Sequence, residues 1–243
     1  MVTITITAMM NDEQCRLSPL ALLRVQSWLS PTFPAGFYSY SHGLEWAVEA
    51  HDVHDRQSLV DWLESDLRHG SGRNEAIFFS EAWRCATDHE GLGEISELAA
   101  AFRGTSEFAL ESFQPAAACL TIFKKVWPAG TLNLLAEMLR EKQVPPALAV
   151  VLGVRFAAEG IPITLALPAF LQSYVTNLIT AGVRLVPLGQ TDGQRAIAEL
   201  ERVVETASAH AASATIDDLG SAAFMVDLAS MAHETQYTRL FRS

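Results

Sequence analysis

Apolar residues recur along most of the chain at intervals of three and four, which is the spacing of an amphipathic α-helix. Ser18 followed by Pro19 indicates a helix start, because serine can cap the first turn and proline fits its first position. Thr191 and Gln194 have the spacing of a capping box, which predicts another helix start. The most regular apolar stripes are Ala21, Leu22, Val25, Trp28 and Leu29; Val60, Leu63 and Leu67; Leu92, Ile95, Leu98, Ala99 and Phe102; Leu132, Leu135, Met138 and Leu139; and Ile197, Leu200, Val203, Val204 and Ala207.

Strand-like alternation is confined to the first ten residues, where Val2, Ile4 and Ile6 alternate with threonines. That stretch fits either a short strand or a loose arm. The rest of the chain shows neither an internal repeat nor a long linker. We therefore predict an all-α single domain of roughly eight to ten helices, which suits the length at about 11–12 residues per helix plus connections. Residues 1–17 are predicted to be a flexible arm, residues 18–232 the helical domain and residues 233–243 a C-terminal tail.

The segment 163–183 carries no charge and is long enough to span a bilayer. It also contains Pro168, Gln172 and Asn177, and aromatic or basic residues do not flank it on both sides. A central core helix or a buried dimer face is the favoured interpretation. Membrane contact is the alternative.

Composition limits the classes of function. The chain has 243 residues, of which 49% are hydrophobic and 19% charged, with a formal net charge of −11. This acidic balance argues against nucleic acid as a partner, because phosphates need a basic face. The three cysteines, Cys15, Cys85 and Cys119, have no CxxC spacing. They are expected to be free thiols in a reducing cytoplasm.

The motifs of the commonest metal and nucleotide chemistries are missing from the sequence. It has no GxxxxGK[ST] phosphate loop, and the stretch that begins at His233 starts like HExxH but ends in Tyr237. His51 and His54 could share a helix face, but two ligands alone do not close a metal site. A nickel carrier would be expected to show a cluster of histidines and cysteines. We predict no metal site, no cofactor and no catalytic residue in this chain.

Ser41 lies in a stretch, Ser39 to Gly43, that comes within one residue of a GxSxG nucleophile elbow. That elbow needs a strand before the turn, whereas a segment rich in proline and glycine precedes Ser41. A serine at a helix start is the favoured interpretation. A serine hydrolase that uses Ser41 stays open as the alternative function.

Two stretches have the composition of recognition surfaces. Residues 30–45 combine prolines, glycines, aromatics and hydroxyls, a mixture that makes adaptable contact surfaces. Residues 233–243 are basic on an acidic protein and carry residue types that are enriched at interface hot spots. We expect this C-terminal tail to become ordered when a partner binds. Its candidate partner-binding residues are Tyr237, Arg239, Leu240, Phe241 and Arg242.

The same stretches resemble the signatures of the UreF family of urease accessory proteins. The resemblance extends from about Leu20 to the end of the chain, with the motifs in the expected order. The first signature contains Pro34, Gly36, Ser39, Ser41, Gly43 and Glu45, the second contains Arg184, Gly189 and Gln190, and the third is the C-terminal tail. The roles of the first two signatures stay open.

Membership of that family implies an all-α, cytoplasmic homodimer without catalytic activity. It implies a complex with a nickel-binding GTPase, UreG, and with a urease-binding protein called UreD or UreH. The complex docks on apo-urease, and GTP hydrolysis is linked to nickel insertion. The F-type protein bridges the other two and modulates the GTPase. The resemblance also places residues 237 and 239–242 in the tail that meets UreD or UreH.

The chain departs from the family pattern at several positions. Phe37 stands where a small residue is common, and Ala109 and Ala117 stand where basic residues are common. Pro115 falls inside the same predicted helix and is expected to kink or break it, because proline lacks the backbone donor. The effect of Ala109, Ala117 and Pro115 on partner contacts of that helix stays open.

Overall fold

The structure is a computed structural model that describes residues 17–243. Every regular element in that range is helical, which confirms the all-α prediction. The eleven α-helices of the described residues are one more than the upper end of the expected range, since one of them has only six residues. They are α1 Pro19–Trp28, α2 Leu44–Glu49, α3 Arg56–His69, α4 Ser71–Arg84, α5 His89–Ala101, α6 Ser106–Val126, α7 Gly130–Lys142, α8 Leu148–Ala158, α9 Ile163–Leu185, α10 Gln190–Ser213 and α11 Phe224–His233; short 3₁₀ turns occupy Phe37–Ser39 and Ile216–Asp218. The alternating segment at Val2, Ile4 and Ile6 lies outside the described residues.

Side-chain caps explain where several helices begin. The Ser18 hydroxyl accepts a hydrogen bond from the Ala21 amide at 3.0 Å, and Pro19 opens α1 as predicted. The predicted capping box at Thr191 is wrong. The Gly193 amide already donates to the carbonyl of Gly189, which is the N-cap residue, so Thr191 lies inside the first turn of α10.

Aromatic packing between α4, α8 and α9 forms the centre of the core. The ring of Phe79 stacks on Phe170 with centroids 4.8 Å apart and meets Phe156 edge-on at 5.5 Å. Helix α8 approaches α4 so closely that a Cβ at Gly153 would lie 2.5 Å from the carbonyl oxygen of Phe79. Only glycine therefore fits at this crossing.

Helix α9 is the one helix of the described range that is long and apolar enough to cross a membrane by length and composition. In the structure it packs against α10, α4 and α2. Its exposed residues are Thr164, Thr180 and Arg184, so its large apolar side chains are buried or half-buried within the chain. This packing supports the interpretation of α9 as a core helix.

Pro115 does not break its helix, which was one of the two expected outcomes. Helix α6 is 21 residues long and continues past Pro115, which is itself buried. The proline removes one backbone donor, and burial of neighbouring positions such as Ala116 and Cys119 keeps the helix packed on the core. Ala109 is half-buried and Ala117 exposed on this continuous helix.

Candidate partner-binding site: the tail and the signatures that hold it

The C-terminal tail lies across the first signature. After α11 the chain returns to residues 39–41, where the Arg242 amide donates to the Ser39 carbonyl at 2.8 Å. The Ser41 amide donates to the Ser243 carbonyl at 2.6 Å. Backbone groups of the chain itself thus pair with the tail without a partner, whereas the sequence analysis expected the tail to become ordered when a partner binds.

Glu45, in the first turn of α2, is the main side-chain contact of the tail. One carboxylate oxygen accepts the Leu240 amide at 2.6 Å and the other accepts the Phe241 amide at 2.9 Å. Glu45 is buried, and hydrogen bonds to a charged acceptor are about twice as strong as neutral ones. A single side chain thus holds two consecutive backbone groups of the tail.

A buried polar network continues from Glu45 to the start of α6. His233 is fully buried, with Nε2 3.1 Å from Glu45 and Nδ1 2.9 Å from both oxygens of Glu107. The Arg239 guanidinium donates to Glu107 at 3.2 Å. Burial raises the pKa of the Glu107 carboxyl, while His233 and Arg239 oppose that rise. The network therefore ties α2, α6, α11 and the tail together.

The second signature also meets the tail, through Arg184 at the end of α9. Its guanidinium carbon lies 4.6 Å from the centroid of the Phe241 ring, a cation–π contact. Phe241 is 5% exposed and belongs to the main core. Gly189 and Gln190 are exposed at the start of α10, where Gly189 is the N-cap residue.

Glycines of the first signature shape the loop that receives the tail. Gly36 has a φ of +77° before the 3₁₀ turn, and Gly43 has a φ of +74° before α2. A Cβ at Gly43 would lie 2.7 Å from the backbone nitrogen of Ser230 on α11. The absent side chain lets α2 and α11 approach, and this brings Glu45 within reach of His233. Pro34 is exposed in the preceding loop.

Ser41 is not arranged as a nucleophile. Its hydroxyl is fully buried and donates to the Ser243 carbonyl at 2.6 Å. The neighbouring His42 ring bonds elsewhere, to Glu111 at 2.6 Å and to the Ser71 hydroxyl at 2.5 Å. Burial by itself would lower the pKa of His42, but Glu111, Asp66 and Glu75 together raise it to about 9. This histidine is a buried cation paired with a carboxylate, and Ser41 is a tail contact.

The large apolar side chains that the tail leaves exposed are Tyr237, which is fully exposed, and Leu240, which is 57% exposed. Helix α11 adds an apolar face that the sequence analysis missed. Its buried positions are Val226, Ala229, Ser230 and His233, whereas its longer apolar side chains face solvent. The signal in the sequence was that most of the large apolar residues fall on the face opposite these positions. The exposed residues of α11 are Phe224, Met225, Leu228 and Met231.

Metal-ligating groups are scattered in the described part of the chain. Between residues 17 and 243, no three His, Cys, Asp or Glu side chains are grouped so that they could hold a metal ion. His51 and His54 are both exposed. Cys85 and Cys119 are free, and burial raises the pKa of both thiols, that of Cys119 to about 12. Cys15 lies outside the described residues.

Fold and site together define the class: an all-α protein whose C-terminal segment packs onto a glycine-rich N-terminal signature, without an assembled nucleophile at Ser41. The family model described as UreF matches residues 53–201, more than half of the chain. The urease accessory protein UreF of Rhodopseudomonas palustris (strain BisB5) is 47% identical over 225 residues, which cover 92% of this chain and 91% of the relative.

Other relatives agree. The urease accessory protein UreF of Bradyrhizobium diazoefficiens is 47% identical over 92% of both chains, and that of Granulibacter bethesdensis is 44% identical over 92% of this chain and 94% of its own. The chain belongs to the UreF family of urease accessory proteins.

Proposed function

We propose that this chain is a non-catalytic cytoplasmic scaffold for nickel insertion into apo-urease. It bridges a UreD/UreH-type protein and a UreG-type nickel-binding GTPase, modulates GTP hydrolysis, and acts as a homodimer. In this proposal residues 18–232 form the body and residues 233–243 bind the UreD/UreH-type partner. Family membership supports the urease role, and the geometry of the tail supports the binding role.

The observation that carries the proposal is the orientation of the tail. Its backbone and Phe241 are held by the body, while Tyr237 and Leu240 face solvent. Exposed tyrosine and leucine side chains, like the exposed apolar face of α11, are features of the kind that mark protein-binding surfaces. Aromatic side chains of this type commonly fill a pocket at the centre of an interface.

Because the tail is already ordered, a partner does not have to order it on binding. Immobilising a flexible side chain costs about 0.5–1.5 kcal/mol, and the cost is larger when the backbone must also be fixed. The contacts of Glu45 and His233 fix the tail when the chain itself folds, so this entropic cost is not added to the free energy of partner binding. A rigid tail therefore gives tighter binding from the same two exposed anchors.

The chemistry of the partner surface follows from the anchors. Tyr237 and Leu240 require apolar pockets, and a carboxylate or carbonyl would match the exposed guanidinium of Arg242. Arg242 donates to the side-chain oxygen of Gln114 at 3.2 Å, a contact that a partner carboxylate could replace. The body of the chain, at a net charge of −11, favours a basic surface elsewhere on its partners.

Co-purification tests the proposal. The chain, the UreD/UreH-type protein and the UreG-type GTPase are mixed and separated on a sizing column with light scattering. We expect a ternary complex containing two copies of this chain. Removing residues 237–243, or making the double substitution Tyr237→Ala/Leu240→Ala, should abolish or weaken it by at least about 30-fold, as for a hot spot of 2 kcal/mol.

The matched control is Val126→Ala, which truncates an equally exposed apolar side chain on α6. It should leave the complex intact. A complex that survives both tail variants contradicts the tail assignment, and failure of the intact chain to bind either partner contradicts the scaffold role. GTP hydrolysis and urease activation by nickel, measured with the same variants, test the link to the GTPase.

A further inference from the structure

The end of the tail is held by residues around Ser41 rather than by Glu45. The Ser41 amide and hydroxyl both donate to the Ser243 carbonyl at 2.6 Å. The Ser243 hydroxyl donates to a carboxylate oxygen of Glu111 on α6. The same oxygen accepts the backbone amide of His42 at 2.9 Å. Glu111 therefore joins the end of the tail to the residue that follows Ser41.

The imidazole of His42 belongs to a chain of hydrogen bonds that crosses the body. Its Nδ1 lies 2.6 Å from the other carboxylate oxygen of Glu111, and its Nε2 lies 2.5 Å from the Ser71 hydroxyl. The Ser71 hydroxyl in turn donates to the Asp66 carboxylate at 2.8 Å. Because that hydroxyl has one proton, it can only accept from Nε2. Both ring nitrogens of His42 thus donate, which makes the ring an imidazolium.

Acidic groups from four helices surround this buried cation. They are Glu111 on α6, Asp66 on α3, Glu75 on α4, which also pairs with Arg103, and the hydroxyl of Tyr174 on α9, which donates to Asp66. Burial by itself lowers the pKa of His42, but the three carboxylates raise it to about 9. His42 therefore keeps its charge at neutral pH and loses its proton near pH 9.

The backbone of His42 is in the left-handed region, with a φ of +58°. This conformation is strained for a residue other than glycine, and it persists where surrounding contacts fix it. At His42 those contacts are the amide and Nδ1 bonds to Glu111 and the Nε2 bond to Ser71. Loss of a proton from the ring removes one of these donors and loosens the turn that carries Ser41.

We propose that His42 is a positioning residue of the partner-binding site: its imidazolium fixes Glu111 and the left-handed turn that together hold Ser243, so that loss of the proton frees the end of the tail and weakens partner binding. This inference rests on the proposed function in one respect, that a UreD/UreH-type partner binds the tail. Arg242 should move with Ser243, because its amide donates to the Ser39 carbonyl just before this turn.

The coupling between the tail and His42 has to act in both directions. If loss of the proton weakens docking of the tail tenfold, release of the tail lowers the pKa of His42 by about one unit. The physical cause is water, which screens the attraction between Glu111 and the imidazolium once the tail no longer covers them. A solvated histidine has a pKa of about 6.5, so entry of water moves the pKa of His42 toward that value.

NMR titration of the His42 ring in the isolated chain tests the coupling without any partner. We expect a pKa near 9 in the unmodified chain. The double substitution Phe241→Ala/Ser243→Ala removes a buried ring and a hydroxyl donor from the tail without changing any charge, and should lower this pKa by about one unit or more. Val126→Ala, an exposed position on α6, is the control and should leave it unchanged. Equal pKa values in the double variant and the control would overturn the inference.

Partner affinity as a function of pH gives the second readout. His42→Asn removes the charge, while asparagine tolerates the left-handed backbone. The unmodified chain should bind the UreD/UreH-type protein about tenfold or more weakly at pH 10 than at pH 7. The variant should bind weakly at both pH values, with a flat profile. Because both proteins meet the same partner, titration of the partner itself affects the two profiles alike.

The outcomes separate this inference from the proposed function. Parallel pH profiles of the two proteins, or a variant that binds as tightly as the unmodified chain at pH 7, would overturn the role of His42 while the tail assignment stands. If the unmodified chain binds no partner at pH 7, the proposed function fails, and the NMR titration alone decides whether His42 holds the tail.

Discussion

The aromatic core around Phe79 and the tail junction around Glu45 are both buried, but different interactions hold them. At Phe79 three helices interlock through rings and a glycine crossing. At Glu45 a few hydrogen bonds to carboxylates hold a segment that is far away in sequence. Packing in the first region is spread over many contacts, whereas the second depends on a few polar atoms.

The aromatic core therefore determines the stability of the whole molecule, whereas the contacts at Glu45 determine whether the tail is held against the body. Loss of apolar volume in the core weakens the whole molecule, because hydrophobic burial is shared among helices. Loss of a tail contact frees a short chain segment and leaves the helices below it packed. The following predictions test that separation, beginning with the largest effect.

Phe79→Ala should cost about 3–5 kcal/mol of unfolding free energy, since it removes a ring from a packed core. Urea denaturation followed by circular dichroism measures this cost. Phe224→Ala is the control, because Phe224 is 68% exposed on α11 and its truncation should change stability by less than about 0.5 kcal/mol. Equal effects of the two substitutions would contradict the assigned core.

The charged His42 should make stability depend on alkaline pH. Its pKa is raised from 6.5 to about 9 in the folded chain by Glu111, Asp66 and Glu75. The stabilisation is therefore complete below about pH 6.5 and is lost as pH rises through 9, at a slope of at most about 1.4 kcal/mol per pH unit. Urea midpoints at pH 6 to 10 should show this fall, and His42→Gln should flatten it. An unchanged slope in the variant would contradict the assignment.

Glu45→Gln should cost about 1–3 kcal/mol, because the amide cannot accept from Leu240, Phe241 and His233 as the carboxylate does. Most of the change should appear as increased amide exchange in the tail. Glu201→Gln, an exposed carboxylate on α10, should leave both stability and exchange unaltered. Unchanged exchange of the tail in Glu45→Gln would show that other contacts hold it.

Arg184→Gln is expected to have the smallest effect, about 0.5–1 kcal/mol, from loss of the cation–π contact with Phe241. A double-mutant cycle with Phe241→Leu isolates that interaction. A coupling energy near zero would mean that the two signatures touch without stabilising one another.

Local features of the fold were predictable from the sequence. Ser18 and Pro19 open α1, and most residues of the apolar stripes are buried or half-buried, with Leu22 and Phe102 as the exposed exceptions. The capping box at Thr191 failed because the Gly189 carbonyl already starts the helix. A break at Pro115 did not occur, because helix propensity describes an isolated helix, whereas tertiary packing keeps α6 continuous.

The candidate site was only partly predictable. Composition and resemblance pointed to the tail and to Glu45 separately. Their contact joins residues 195 positions apart, and sequence spacing holds no information on that distance. His233 looked like a fragment of a zinc motif, whereas it lies between two carboxylates of other helices. The apolar face of α11 was missed because its longer apolar residues lie on the exposed side, whereas Val226, two small residues and His233 lie inside.

Amide hydrogen exchange of Leu240 and Phe241 in the isolated chain tests the central claim most directly. The account predicts slow exchange in the absence of any partner, and rates near those of an unstructured peptide after Glu45→Gln. Rapid exchange of both amides in the unmodified chain would contradict it, because the tail would then be ordered only by a partner.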